Sequence, residues 1–291
     1  MVTIDDCRRF YAKEIRFAAN VRSSALVEAF ARVPREKFLG PGPWEVASAE
    51  VRGLSVLGAM QVSYTPVDDP RDLYHNVLVV LDKAADINNG QPSALARWIE
   101  ALDLKAGDRA YHLGCGVGYY TAIMAEVVGP GGGVVGIELH PDLATRAKEN
   151  LSGYPNVTVH VGDGAAFDPG ACDAMLINAG VTHPSLLWLD RLREGGRLVV
   201  PLTMGTTPTG GVGVMTKISR ERGGFSAQIV SSVAIYSCKN AREAQREPLL
   251  KAAMKSGALM KMKSVRRDAH EQVDTCVIHG GDVCLSSAEI G

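Results

Sequence analysis

Gly114, Gly116 and Gly118 alternate with single residues between a run suited to a buried strand, 108–113, and a run with apolar residues at helical spacing, 120–128. Glycine has no Cβ, so such a turn can bend tightly and let a ligand touch the backbone. Glu138 stands twenty positions after Gly118, with Leu139 beside it, at the end of the apolar run Val134-Val135-Gly136-Ile137. There a carboxylate can accept both hydroxyl hydrogens of a ribose. Asp163 sits between Gly162 and Gly164 after a third strand-like run, 157–161, where it can accept from the exocyclic amine of an adenine. Taken alone, Asp163 reads equally as an Asx turn leaving a strand. Two acceptors at the ends of successive strands point instead to one nucleoside ligand, bound at the carboxyl ends of an α/β sheet.

The glycine spacing narrows the nucleoside. A dinucleotide fingerprint needs glycine at its first, third and sixth positions, so that a pyrophosphate can rest on a helix N-terminus. Here the sixth position is Tyr119 and the glycines fall at the first, third and fifth. That argues against a nicotinamide-dependent oxidoreductase. It suits a cofactor without a pyrophosphate, lying against the loop through an amino-acid end, as S-adenosylmethionine would. Cys115 within the loop reads as a small filler.

Methyl transfer from a sulfonium is an in-line displacement on an already activated carbon, so the protein mainly orients its reactants. A carboxylate acceptor needs donors to hold it, and Asn88, Asn89 and Gln91 offer a neutral polar clamp; the competing reading is a polar turn before the helix at Pro92. An amine or hydroxyl acceptor would gain from a general base. His183 is the candidate, in Asn178-Ala179-Gly180-Val181-Thr182-His183-Pro184 after the fourth strand, unless it simply precedes the helix that Pro184 opens. Asn178 either contacts the ligand or closes its strand. This segment lacks the two prolines and the ring that enzymes methylating nucleic-acid amino groups usually carry, and the basic stretch 261–267 reads as a solvated face. Cys276, His279 and Cys284, with His270 nearby, have zinc-ligand chemistry, but their spacing matches no standard pair, so a reduced hairpin and no metal are expected.

The 291 residues are 46% hydrophobic and 22% charged, ordinary for a soluble globular chain, with one main domain and appendages expected. A net charge of −1, from 31 basic and 32 acidic residues, draws the chain neither to nucleic acid nor to anionic lipid. The charged first twenty residues exclude a secretory apolar region and no run is long enough to span a membrane, which predicts a cytoplasmic protein. Six scattered cysteines without a CxxC pair fit reduced thiols.

Two helices are expected within 4–31, with Ser23 or Ser24 capping the second, then loops and short strands to 85, including one over 74–81. A helix over 92–104 leads into strands at 109–113, 134–139, 157–161, 173–179 and 197–203 and helices at 120–128, 141–151 and 184–193. Such alternation predicts an α/β fold with a mostly parallel sheet and helices on both faces. An antiparallel hairpin, 212–219 with 225–236, closes it. A charged helix over 242–255 and a terminal hairpin, 275–279 with 283–286, follow. The expected organisation is an N-terminal helical and irregular segment, 1–85, a cofactor-binding domain, 86–238, and a C-terminal extension, 239–291.

Several stretches in matching order then resemble the protein L-isoaspartate O-methyltransferase family of S-adenosylmethionine enzymes, over about residues 16–202. They are Val33-Pro34-Arg35-Glu36-Lys37-Phe38, Gly90-Gln91-Pro92, the loop 114–120, Gly136-Ile137-Glu138, Asn150-Leu151 with Asn156-Val157, Gly162-Asp163-Gly164, and Gly195-Gly196-Arg197-Leu198-Val199-Val200-Pro201. The resemblance implies a Rossmann-like, seven-stranded methyltransferase sheet and methyl transfer to a carboxylate on a peptide, protein or small molecule. It gives Gly114, Gly116 and Gly118 to the methionine end of the cofactor, Glu138 to its ribose and Asp163 to its adenine. Two departures stand out. His112 occupies the place, two before the first glycine, where the family usually has an acidic residue, and Asn88-Asn89-Gly90 replaces a stretch that usually carries a serine hydroxyl beside the substrate. Two alternatives stand beside this reading: a small-molecule N- or O-methyltransferase with His183 as base, and, motivated by these departures, a cofactor-binding module without turnover.

Overall fold

The computed structural model describes residues 2–48 and 63–290. The chain begins with helices α1 (Ile4–Ala18) and α2 (Ser24–Arg32). Thr3 and Asp6 form a reciprocal capping box at the start of α1, and Ser23 caps α2 by accepting from Leu26 N–H. Short strands β1 (Trp44–Ala47), β2 (Thr65–Val67), β3 (Leu78–Asp82) and β4 (Ile87–Asn88) form a small sheet in the order β2-β1-β3-β4. Trp44, Val46, Val67 and Leu81 pack there on buried Leu39, Leu73 and Val79.

The strand expected over 74–81 begins only at Leu78, and Arg35 supplies the reason. Its guanidinium is fully buried and donates to the carbonyls of Leu73 at 2.5 Å, His75 at 2.9 Å and Val77 at 2.8 Å. The guanidinium gathers those carbonyls into a turn, in which Val77 N–H also donates to His75 O at 2.8 Å, so the chain is not extended before Leu78.

Helix α3 (Pro92–Leu102) precedes the alternating region: β5 (Arg109–Leu113), α4 (Tyr119–Val128), β6 (Gly133–Glu138), α5 (Pro141–Asn150), β7 (Val157–Val161), β8 (Cys172–Ile177), α6 (Leu186–Arg191) and β9 (Leu192–Gly205). The hairpin of β10 (Gly210–Glu221) and β11 (Gly224–Tyr236) follows. Strands β5 to β11 are the seven the sequence leads one to expect. Helix α6 starts two residues later than read, and α7 (Glu247–Lys255) five residues later, with Pro248 in its first turn.

The C-terminal part adds three strands: β12 (Ser264–Arg266), β13 (Cys276–Ile278) and β14 (Cys284–Ser286). The β13–β14 hairpin is as expected. Strand β12 corrects the reading of 261–267 as a wholly solvated face: Val265 is 3% exposed and pairs with Phe225 of β11.

The elements divide into two compact units, residues 1–107 with 115–161, and residues 108–114 with 162–291. In the first, β6 and β7 pair in parallel from Val134 opposite Val157 to Glu138 opposite Val161. Tyr11, Phe30, Phe38, Tyr119 and Tyr120 meet edge-on in a core of aromatic rings under α1, α2 and α4. The second carries the strand order β13-β14-β12-β11-β10-β9-β8-β5. There β8 runs parallel to β5 and β9, and the remaining pairs are antiparallel. No described helix is long and apolar enough to cross a membrane.

Candidate active site

In the first unit, the loop entering α4 is held by backbone and by one carboxylate. Gly116 has φ +56° and Gly118, the N-cap of α4, has φ +91°. A Cβ at Gly118 would fall 2.6 Å from Leu151 Cδ1, whereas one at Gly116 would meet nothing within 4 Å. The two glycines therefore serve different ends: the second packs on α5, and the first leaves its backbone open to a ligand.

Glu138 is 7% exposed. Its Oε2 accepts from Gly116 N–H at 2.8 Å and its Oε1 from His140 N–H at 3.1 Å. Each oxygen keeps a further lone pair, so the carboxylate is fixed in direction and still able to accept. Asn150 Nδ2 donates to Val117 O at 2.9 Å and closes the turn. Cys115 is buried, and its sulfur would lie 3.3 Å from a Cβ at Gly136. It is the filler its size suggests, with its thiol pushed far up by burial and, next, by the Glu138 charge. Leu139 is 39% exposed.

Tyr119 is placed elsewhere than the loop reading expects. Its side chain is 1% exposed and points into the aromatic core against Phe30 and Phe38. It sets the end of the glycine turn by packing.

Three polar residues precede α3 in the same unit. Asn88 Oδ1 accepts from Gly90 N–H at 2.8 Å, a local turn. Asn89 is 8% exposed; its backbone N–H donates to Val79 O at 2.9 Å, while its side-chain Nδ2 is buried without an acceptor among the described residues. Gln91 is the N-cap of α3, yet its side chain makes no capping bond. Tyr120 Oη donates to Gly90 O at 3.3 Å, tying this turn to α4.

In the second unit, β5 ends in Gly114 at φ +73°, where a Cβ would come 3.1 Å from Asn178 O. Asn178 Nδ2 donates to Gly114 O at 3.3 Å, so Asn178 closes the ends of neighbouring strands. His112 is fully buried, and desolvation lowers its pKa to about 3. The residue replacing the family's acid is thus a neutral, enclosed imidazole and presents no cation.

Asp163 forms the Asx turn, with Oδ1 accepting from Ala165 N–H at 2.9 Å, and its Oδ2 accepts from Asn240 Nδ2 at 2.9 Å. Gly164 O accepts from Tyr111 Oη at 3.0 Å. Asn240 was not legible as a partner of Asp163, because 77 residues separate them. His183 has both ring nitrogens engaged, Nδ1 3.1 Å from Thr182 Oγ1 and Nε2 3.1 Å from Glu243 Oε1. Burial, followed by the Arg246 charge, lowers its pKa against the pull of Glu243 and Asp282.

Comparison with solved structures defines the class. The fold is that of Rossmann-like methyltransferases: it matches a protein-L-isoaspartate O-methyltransferase with a TM-score of 0.63 at 22% identity, covering 85% of this chain and 69% of that one. A putative protein-L-isoaspartate O-methyltransferase from Plasmodium falciparum, solved with S-adenosyl-L-homocysteine, matches with a TM-score of 0.57 at 18% identity, over 80% of this chain and 98% of that one.

The sequence assigns the family within that class. Residues 63–236 match the description of protein-L-isoaspartate(D-aspartate) O-methyltransferases. The protein-L-isoaspartate O-methyltransferase of Ignicoccus hospitalis is 36% identical over 165 residues, 54% of this chain and 77% of the relative. That of Aeropyrum pernix is 30% identical over 202 residues, 68% of this chain and 67% of the relative. The chain belongs to the protein-L-isoaspartate(D-aspartate) O-methyltransferase family, whose methyl donor is S-adenosylmethionine. The matched range begins after Val33-Pro34-Arg35-Glu36-Lys37-Phe38 and ends before the added strands β12 to β14.

Proposed function

We propose that this chain transfers the methyl group of S-adenosylmethionine to the free carboxylate of an isoaspartyl residue in a protein or peptide. Family membership supports the reaction class, and the buried Asn89 Nδ2, without an acceptor among the described residues, is the observation that carries the acceptor. A buried amide donor without a partner is costly unless something arrives to accept from it. A carboxylate acceptor does so without needing a base, and Gln91, uncommitted to the helix cap, is the second donor. Asn88 holds the turn that presents them.

The first unit's loop fits the cofactor's ribose and amino-acid end on local grounds. Gly116 leaves its backbone open, Glu138 keeps free lone pairs toward hydroxyl hydrogens, and exposed Leu139 offers an apolar surface. Asp163 is the proposed acceptor for the adenine amine, held in direction by Ala165 and Asn240. Bound S-adenosylmethionine supplies a methyl group already activated by its sulfonium. The chain's own task is to fix the attacking oxygen and exclude competing nucleophiles. His183, bonded at both nitrogens, offers no free base.

Labelled-methyl transfer tests this reading with an isoaspartyl peptide and its aspartyl counterpart. Base-labile label on the first alone is expected. Asn89→Leu is expected to lower kcat/KM for the peptide roughly 5- to 30-fold, equivalent to about 1–2 kcal/mol, with S-adenosylhomocysteine affinity unchanged. His183→Ala is expected to leave turnover on the peptide nearly intact. Label on neither peptide, but on a small molecule of a cell extract, would place the acceptor elsewhere.

A further inference from the structure

The C-terminal hairpin gathers four ligand-bearing side chains that methyl transfer leaves unused. His270, Cys276, His279 and Cys284 each present one ligand atom, and all four atoms lie within 4.8 Å of one another. Their spacing, His-x5-Cys-x2-His-x4-Cys, follows no standard zinc motif. The convergence arises from the fold. Cys276 and Cys284 sit on the antiparallel strands β13 and β14, His279 follows β13, and the preceding loop returns His270 to the same place.

The distances and surroundings suit a tetrahedral ion. Cys276 Sγ and His270 Nε2 are 3.6 Å apart. With metal–sulfur bonds of about 2.3 Å and metal–nitrogen bonds of about 2.0–2.1 Å, one edge of a tetrahedron is about 3.6 Å long. His270 Nδ1 lies 2.7 Å from Asp268 O, so its N–H donates outward and the lone pair of Nε2 faces the cluster. Val273 N–H donates to Cys276 Sγ at 3.4 Å, which favours a thiolate. The ring of His279 meets that of His270 edge-on, with centroids 5.0 Å apart, and its Nδ1 is buried without a partner among the described residues.

We propose that His270, Cys276, His279 and Cys284 bind one zinc ion in a closed structural site. Two thiolates and two imidazoles are the donor set of four-coordinate structural zinc, and the two thiolates neutralise a divalent ion in a partly buried place. On binding, each cysteine S–H bond breaks, its proton passes to solvent and its electron pair goes to the metal, with no change of oxidation state. The ion staples the hairpin whose tip secures the preceding segment. Asp282 pairs with the Arg246 guanidinium, which also donates to Val283 O at 3.1 Å and pairs with Glu243.

The test uses the untagged full-length chain, purified under reducing conditions without added metal, with zinc measured by mass spectrometry. Roughly one zinc per chain is expected. Cobalt added to the chelator-stripped chain should give the intense visible absorption of a tetrahedral site and a near-ultraviolet thiolate band. The Cys276→Ser, Cys284→Ser double variant should lose at least about ten-fold in zinc occupancy. Should that variant not fold, the cobalt spectrum of the unaltered chain decides alone. Zinc far below one per chain with no tetrahedral cobalt spectrum would overturn the site. So would a Cys276–Cys284 disulfide in the unreduced protein, or full occupancy in the folded double variant.

Discussion

Gly118 and Gly116 look alike in sequence and differ in what surrounds them, so substitution should separate packing from ligand contact. Gly118→Ala drives a Cβ against Leu151 at φ +91° and is expected to lower stability by about 1–3 kcal/mol in denaturant titration. Gly116→Ala, with open space around it, should cost less stability and more cofactor affinity. His112 makes a pH prediction. Its pKa is about 3 when folded and near 6.5 when unfolded, so above 6.5 it is neutral in both states and contributes nothing. Below 6.5 the unfolded state binds the extra proton, and stability should fall by up to about 1.4 kcal/mol per pH unit until about pH 3. His112→Leu should remove this part of the acid sensitivity in melts between about pH 4 and about pH 7. An unchanged slope would show that other groups control it. At this scale the placement was largely readable: the glycine turn before α4, Glu138 at the end of β6 and the small buried Cys115 follow from residue type and spacing. Asn240 beside Asp163 and the inward turn of Tyr119 were not, because distant packing decides both.

Elements were legible where period and caps agreed. Helices α1, α2 and α3 and strands β5 to β7 lie within a residue or two of their expected bounds. The errors have local causes. The late start of β3 comes from Arg35, whose buried guanidinium holds the carbonyls of Leu73, His75 and Val77 together in a turn. Arg35→Met keeps apolar bulk but orphans those carbonyls, and is expected to destabilise the chain by roughly 3 kcal/mol or more on thermal or denaturant unfolding. A loss below about 0.5 kcal/mol would mean the carbonyls find other donors. Strand β12 escaped notice because charged residues flank a three-residue strand, too short for alternation to show.

For the whole molecule, alternation of strands and helices sufficed to predict an α/β fold, and the glycine spacing with the family resemblance pointed to a methyltransferase. The grouping of residues 108–114 with 162–291 could not be read from the order of elements, since it depends on which strands pair. The residues of the proposed zinc site were visible as candidate ligands, but their spacing argued against a metal, because it is the hairpin and a returning loop that bring them together. The central claim, that Glu138 holds the ribose of S-adenosylmethionine beside a glycine turn that takes its amino-acid end, is tested most directly by calorimetric titration of S-adenosylhomocysteine into the unaltered chain and Glu138→Ala. One-to-one binding is expected, weakened in the variant by about 1–3 kcal/mol, or roughly 5- to 150-fold. Equal affinity in a folded Glu138→Ala chain would contradict it.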